Sequence, residues 1–551
     1  MIEKLVASSS TTTFVLAAGA VTLLAALSVA KDSSPKQPRI DQTLYPQAYG
    51  VLTDERLMYP VDMSDWPVKI TTERQLFVDD YLIATRSDLS RQLHQAKRHA
   101  SNPVLYLGEN PWEQGDSGAL IVRRDEKTGL FRMWYGMRMF IKAENGLTYR
   151  APTCYATSSD GVHWEKPNLG IFKFGKDKNN NICLPQGAIE GLFYHPQDPT
   201  PDKRYKALVW HDPHGQDAYA PQEGFYLYWS PDGLHWKGDN QRCIMPMGMG
   251  KEFPDIPCPG VGDSTNFQWD AKLKKYVANT KFYLARIGRV AGRCESDDLI
   301  HWGRPRMVLY RNGFDEPDTE MYERTTFPYE SMWIGPTRVM HGQKSFIPKP
   351  PISDVRPGFK QVAVELTASR DGRNWTRVCP GQHLIPLGGK DTWDEDYLNG
   401  PATPPLLVDD ELWFYYQGAI RWERLKAIGH PDPKGGHMHI GLAKLRRDGF
   451  VSLNGGDKPG TVVTRPLTFE MGTLYVNAEI ADGGYLKAEL RDAAGTVVQP
   501  YSLTDCNPVT GDVMQAAVKW AGTSELVRPQ DQSLRLVFQL KKAKLYSFWI
   551  E

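Results

Sequence analysis

One short device recurs along the chain and sets its period. It reads Ser159-Asp160-Gly161-Val162-His163-Trp164, then Pro231-Asp232-Gly233-Leu234-His235-Trp236, Asp297-Asp298-Leu299-Ile300-His301-Trp302, and Arg370-Asp371-Gly372-Arg373-Asn374-Trp375. A fifth copy, Arg447-Asp448-Gly449-Phe450, keeps the Asp-Gly and loses the tryptophan. Successive tryptophans stand 72, 66 and 73 residues apart, and self-similarity at a steady period marks a repeat architecture.

Each copy has a local meaning. Glycine accepts a positive φ and the Asp carboxylate can bond the backbone just ahead of it, which is hairpin-turn chemistry. The tryptophan after the turn offers a large apolar plate to a neighbouring sheet. Strand-favouring runs such as Thr153–Ser158 and Gly224–Trp229 precede the turns, and aromatic runs lie further upstream: Phe131–Gly136, Tyr205–Trp210, Lys275–Ala278, Ser331–Ile334 and Glu411–Tyr416. The unit is strand, aromatic strand, strand, Asp-Gly turn, Trp, strand. Five such units predict a five-bladed β-propeller, which closes radially and leaves only short edges. A β-helix needs a far shorter repeat, and helical repeats need a 3.6-residue periodicity that is absent.

Past about Leu453 the pattern changes to short alternating segments, among them Thr461–Phe469, Gly472–Asn477, Tyr485–Leu490, Val513–Trp520, Leu534–Leu540 and Lys544–Trp549, with turns at Asp482-Gly483-Gly484 and Gly511-Asp512. These predict a C-terminal β-sandwich. The fold class expected is all-β, with 1–30 a signal peptide or anchor, 31–100 a linker and N-terminal strand packing on the propeller, 101–455 the propeller and 456–551 the sandwich. In 1–30, Lys4 precedes an apolar run from Phe14 to Val29 that ends in Ser28-Val29-Ala30. That is the order of an export signal cleaved after Ala30, with an uncleaved anchor as the alternative, and it predicts a periplasmic or extracellular protein.

The 65 basic residues balance the 65 acidic ones, so no global field points to nucleic acid or to an anionic membrane. Seven cysteines without CxxC spacing argue against a zinc site. Cys243 and Cys258 flank a Met- and Pro-rich loop and could be bridged, but single buried thiols are the preferred reading. Asp79-Asp80, in Gln75–Ile83, reads as a turn or strand edge rather than as a catalytic pair.

The Asp-(Gly or Leu)-x-(His or Asn)-Trp turns, Asn102-Pro103-Val104-Leu105 leading into the first blade, and Arg446–Val451 before the sandwich resemble the five-bladed propeller glycosidases of glycoside hydrolase families 32, 43, 68 and 130. Gln75–Leu82 together with Leu545-Tyr546-Ser547-Phe548 is similar to exported bacterial proteins described as family-32-like. The resemblance implies carboxylates on the inner strands at the axis, one acting as proton donor and one as nucleophile or base. The Asn-Asp-Pro-Asn, Arg-Asp-Pro and Glu-Cys motifs of family 32 are missing, so its catalytic residues do not transfer by motif.

The predicted inner strands supply the candidates. They begin at Asp116-Ser117 in blade one, Glu190 in blade two, Asp263-Ser264 in blade three, Glu320 and Glu323 in blade four, and Asp394-Glu395-Asp396 in blade five. Asp116, Asp263 and Glu323 are the preferred catalytic set, with Glu320 and Glu190 behind them. Calcium held by the same oxygens is the rival occupant, although no cofactor is required. Trp112, Tyr194, His211, Arg286, Tyr322, Arg324, His341, Trp393 and Tyr397 are expected to bind sugar rings and hydroxyls. The function expected is glycosidic cleavage of a polysaccharide or oligosaccharide, with non-catalytic glycan binding as the alternative.

Overall fold

The computed structural model describes residues 67–113, 117–137, 140–142, 148–211, 220, 222–248, 260–284, 288–312, 315–316, 319–341, 361–390, 392–401, 403–420, 438–527 and 532–551. Its Asp-Gly turns lock themselves. Asp160 Oδ1 accepts the backbone N–H groups of Val162 and His163 at 2.8 Å, and Oδ2 lies 2.7 Å from His163 Nδ1. Ser158 Oγ accepts the Gly161 N–H and donates to Asp160. The same bonds recur around Asp232, Asp298 and Asp371, with Asn374 Nδ2 standing in for the histidine in the fourth copy. Desolvation alone would raise these carboxyls, but the bonds from ring, backbone and hydroxyl outweigh it and hold Asp160, Asp232 and Asp298 below the usual range. The histidines are therefore turn ties. The repeat also extends upstream to a serine two residues before each aspartate: Ser158, Ser230, Ser296 and Ser369.

The position after the aspartate takes φ of +76°, +81° and +71° at Gly161, Gly233 and Gly372, and +70° at Leu299. A leucine is strained there by about 1–2 kcal/mol. It is 1% exposed and packs in the cluster holding Phe267 and Trp302, a burial worth about 1.5–3 kcal/mol, which offsets the strain.

Blade one is Ser117–Arg124, Phe131–Met137, Thr153–Ser158 and Ile182–Leu184. Blade two is Ala188–Tyr194, Tyr205–His211, Gly224–Ser230 and Lys237–Pro246. Blade three is Thr265–Asp270, Lys275–Leu284, Gly288–Ser296 and Arg306–Leu309. Blade four has a broken inner edge, Glu320–Arg324 and Phe327–Tyr329, then Met332–His341, Gln361–Ser369 and Thr376–Ile385. Blade five has Tyr397–Asn399 and Leu406–Val408 inside, then Glu411–Ala419 and His439–Arg446. Its outer strand is Lys97–Arg98, which pairs with His439–Arg446 antiparallel through Ala443↔Arg98 and Lys444↔Lys97. The ring thus closes by backbone hydrogen bonds between the two ends of the propeller stretch.

Aromatic side chains fasten blade to blade at the turns. Trp134 Nε1 of blade one donates to Gly233 O of blade two at 2.7 Å, and Tyr415 OH of blade five donates to Gly161 O of blade one at 2.8 Å. Trp164 meets Phe131 and Tyr415 edge-on, and Trp302 meets Phe267, which is the packing use expected of the repeated tryptophans.

The sandwich is shared between the two ends of the chain. One path of strands runs Ile83–Ser87, Gly460–Thr464, Arg535–Ile550, Val451–Gly455, Leu89–Leu93, so residues upstream of the propeller form both of its edges. Gly472–Arg491 pairs along Arg535–Ile550 with a register break between Ile480 and Tyr485. Such a break lets a long strand bend from one layer to the next. Phe77, Leu474, Trp520, Phe538 and Phe548 lie in its core.

The degenerate fifth copy holds propeller and sandwich together. Asp448 is fully buried; its Oδ2 accepts from Arg74 at 2.9 Å, Ser547 at 2.6 Å and Asn477 at 3.1 Å, and its Oδ1 accepts from Tyr329 of blade four at 2.8 Å. Asp79 is likewise structural. Arg370 of the fourth turn grips it at 2.7 and 3.0 Å. Against desolvation, Arg370 and Arg91 hold the Asp79 carboxyl below its ordinary value. Among the described residues Cys154, Cys183, Cys294, Cys379 and Cys506 are buried single thiols; Cys258 lies outside them. No described helix is long and apolar enough to cross a membrane.

Candidate active site at the propeller axis

Inner strands of neighbouring blades run side by side around the axis, and three of them are irregular near their first residues. The pairing registers shift between Ser117 and Ala119, between Ile189 and Gly191, and between Met321 and Arg324. Bulges of this kind re-aim side chains and gather next to functional sites. Glu190 sits in the second shift and Tyr322 and Glu323 in the third.

Blades three and four bring together the densest polar group. Lys281 Nζ lies 2.7 Å from Asp263 Oδ1 and 4.4 Å from the centre of the Tyr322 ring. Arg289 Nη1 donates to Glu320 Oε2 at 2.7 Å, and its guanidinium stands 5.5 Å from the same ring. Arg338, 5.2 Å from that ring, bonds Glu323, Asn399 and the Tyr397 hydroxyl, the last at 3.0 Å. Three cations therefore surround one phenol, each beside a carboxylate. Gly288, at φ +92°, allows this approach: a Cβ there would stand 2.9 Å from Glu320 Oε1.

The group is stiffened across blades. Asn399 donates to Gln417 Oε1 at 2.6 Å and to Gly118 O at 3.1 Å, and Gln417 bonds Ser117, so a polar chain runs from blade four through blade five to blade one. On the other side Asn279 donates to Thr326 at 2.9 Å and Asn266 to Thr325 at 3.3 Å. Burial pushes the Lys281 ammonium below its ordinary pKa, with Asp263 and Glu323 pulling the other way. Burial also raises the Tyr322 phenol. Asp263 is the open member, its side chain 40% exposed against 6% for Lys281. Glu323 is buried, and its Oε2 has no hydrogen-bond partner among the described residues. A buried oxygen left so is a place for a ligand hydroxyl.

Of the sequence candidates, Asp263, Glu320, Glu323, Tyr322 and Tyr397 belong to this group. Glu190 is buried at its bulge. Asp116 and Arg286 lie outside the described residues, as does the side chain of Arg324. The remaining candidates are placed elsewhere. Trp112 donates to Asn181 at 2.8 Å and meets Phe174 edge-on in the outer part of blade one. Tyr194 is four residues beyond Glu190 on the same strand, about 13 Å further along, and packs on Tyr205. His211 is buried against Tyr228 OH at 2.9 Å, His341 against His383, and Trp393 is stacked on Tyr416. Burial lowers the pKa of His211 to about 4, and burial with His383 and Arg377 lowers that of His341 to about 3. His211 and His341 are buried within their blades, Trp112 and Trp393 are half-buried, and Tyr194 is exposed.

Lys281, Arg289, Arg338 and Asn399 were missed from the sequence. Lys281 and Arg338 lie within second strands whose other residues are mostly buried, Met332–His341 wholly so; a charged residue inside such a strand is the signal, since charges are rarely buried unless paired. Among the described residues no group of three or more His, Cys, Asp or Glu side chains is placed to hold a metal ion. Each of Asp263, Glu320 and Glu323 has a cation for a neighbour.

No protein-family model and no curated protein matches the chain. Among solved structures it is similar to an N-acetylgalactosamine deacetylase from F. plautii in complex with blood group B trisaccharide, with 14% identity over 65% of this chain and 95% of that one and a TM-score of 0.39. It is also similar to a glycosyl hydrolase from Bacteroides ovatus, at 13% identity over 64% and 94% and a TM-score of 0.39. A member of the GH130 family of mannoside phosphorylases and glycoside hydrolases gives 13% identity, 64%, 94% and 0.39. At these values the chemistry of this chain has to be read from its own residues.

Proposed function

We propose that the protein is an exported glycoside hydrolase that cleaves a polysaccharide or its oligosaccharides at the propeller axis. The observation that carries this is the buried polar group around Tyr322, in which Asp263 is open to a ligand and Glu323 Oε2 is an unmet acceptor. A neutral, hydroxyl-rich ligand matches fixed donors and acceptors of both kinds, held in place by cross-blade bonds. Asp263, oriented by Lys281, is the nucleophile or base. Glu323, oriented by Arg338, takes a sugar hydroxyl. The proton donor that cleavage also requires is assigned to Asp116 or Glu190, inner-strand carboxylates of blades one and two, leaving each of Asp263, Glu320 and Glu323 paired with its cation.

That same pairing favours a second reading. Asp263, Glu320 and Glu323 each stand beside a cation, and a site without a proton donor would bind a glycan and release it unchanged.

Digestion of a broad polysaccharide panel, with glycan-array binding in parallel, separates the two. Wild type is expected to release reducing ends, and Asp263→Asn to lose about 10²-fold or more of that rate. Equal release by both proteins removes Asp263 from the mechanism. Binding without release by wild type establishes the second reading.

A further inference from the structure

A second site lies away from the axis, in a cleft of about 790 Å³ between the outer strands of blade three and the Asp-Gly turn of blade four. Volumes of about 300–1,000 Å³ are those of small-molecule sites. Five arginines line it, Arg293, Arg304, Arg306, Arg373 and Arg377, against one acidic residue, Glu295.

The repeat shows that this charge is local to one pair of blades. Counting back from the turn serine, Arg293 occupies the position held by Tyr155, Leu227 and Leu366 in the other blades, and Glu295 the position held by Thr157, Trp229 and Ala368. Across the cleft, Arg373 replaces Val162, Leu234 and Ile300 of the other turns. Three charged residues at positions uncharged in the other blades thus meet on the two walls of one cavity. Arg373 bonds Glu295 at 3.0 and 3.1 Å, and Arg377 is matched by Asp315 and Glu365.

Arg293 is not satisfied by these partners. It is 4% exposed, and its Nη2 donates to Glu295 at 3.1 Å. Its Nε and Nη1 have no hydrogen-bond partner among the described residues. Such unmet buried donors are costly, and an anion in the cleft would meet them. Arg304 and Arg306 are exposed at the mouth, where Met307 adds an apolar edge.

We infer that this cleft binds an oxyanion carried on a saccharide, a carboxylate or a sulfate ester, with Arg293 as the buried contact and Arg304 and Arg306 as the rim. The oxyanion follows from the cleft alone; the saccharide rests on the function proposed above.

Calorimetric titration of the full chain with glucuronate, glucose 6-sulfate, inorganic sulfate and glucose tests this. The two acid sugars are expected to bind, inorganic sulfate more weakly, and glucose not at all. Arg293→Met should weaken the acid sugars by about tenfold or more, since a charged hydrogen bond is lost. Because Arg293 is buried, Arg304→Ala/Arg306→Ala, confined to exposed positions, provides a second variant expected to fold and to bind more weakly with less salt dependence. Asp263→Asn should leave this binding unchanged, so loss of the axial function and loss of the cleft are told apart. Failure of every anion to bind, equal binding of glucose, or wild-type affinity in both arginine variants overturns the site. Inorganic sulfate binding as tightly as glucose 6-sulfate overturns the saccharide.

Discussion

Asp448 offers the sharpest test of how the two modules are joined. Three donors converge on one of its oxygens, from Arg74 upstream of the propeller and from Asn477 and Ser547 in the sandwich, and Tyr329 of blade four reaches the other. Asp448→Ala removes every acceptor at once and takes the ion-pair partner from Arg74, whose side chain is 8% exposed and keeps its bond to the Met514 carbonyl. Breaking a buried ion pair by deleting one partner costs about 3–5 kcal/mol. Asp448→Asn should cost less, because an amide oxygen turned toward the three donors keeps the bonds and loses only the charge, and the Tyr329 hydroxyl can accept from the amide nitrogen. A hydrogen bond to a charged group is worth about 1.5–3 kcal/mol and a neutral one about 1, so the isostere should lose about 1–2 kcal/mol. Urea unfolding followed by tryptophan fluorescence measures both, and a cycle with Arg74→Met should show coupling of about 1–3 kcal/mol. Limited proteolysis should then cut Asp448→Ala between Arg446 and Val451 while the blades persist. An Asp448→Ala protein within about 0.5 kcal/mol of wild type, the range of an ordinary surface change, would refute the clamp.

Two further outcomes follow from burial. His211 and His341 have folded pKa values of about 4 and about 3, below the ordinary 6.5, so as pH falls below 6.5 the unfolded chain takes up protons that the folded chain refuses. Stability is therefore lost toward acid, by about 1.4 kcal/mol per site per pH unit, and His211→Gln should lose about 2 kcal/mol less than wild type between pH 6.5 and pH 5; identical acid limbs would rule this out. Trp134→Phe removes the bond to Gly233 O between blades one and two and should cost about 1–3 kcal/mol by orphaning a buried carbonyl. Trp164→Phe, whose indole bonds only within its own turn, should cost less in the same melts, and the reverse order would count against the inter-blade role.

What was legible in the sequence is local. The Asp160, Asp232, Asp298 and Asp371 turns could be recognised because each closes within six residues, and the serine at their head was equally present, two positions upstream, though outside the span of the repeat as read. The inner strands carrying Glu190, Asp263, Glu320 and Glu323 were found by their order within each unit. Tyr194 stands at the far end of its strand because a strand extends about 3.3 Å per residue and four residues separate it from Glu190. Trp393 and His211 are expected at the site by residue type, and packing sets Trp393 on Tyr416 and His211 against Tyr228.

The period, the all-β class and the carboxylates on the inner strands can be read along the chain, since turns and alternation are written in residues a few positions apart. What those carboxylates face follows from the assembled sheets. Asp263 meets Lys281 within its own blade, but Glu320 meets an arginine from the blade before, and the polar chain beyond Glu323 ends at Ser117 in blade one. Those partners depend on how sheets stand against one another around an axis, and no spacing along the chain encodes that. The closing strand Lys97–Arg98 and the Asp448 clamp have the same origin: both join residues more than three hundred positions apart, because a ring has to bring its ends together.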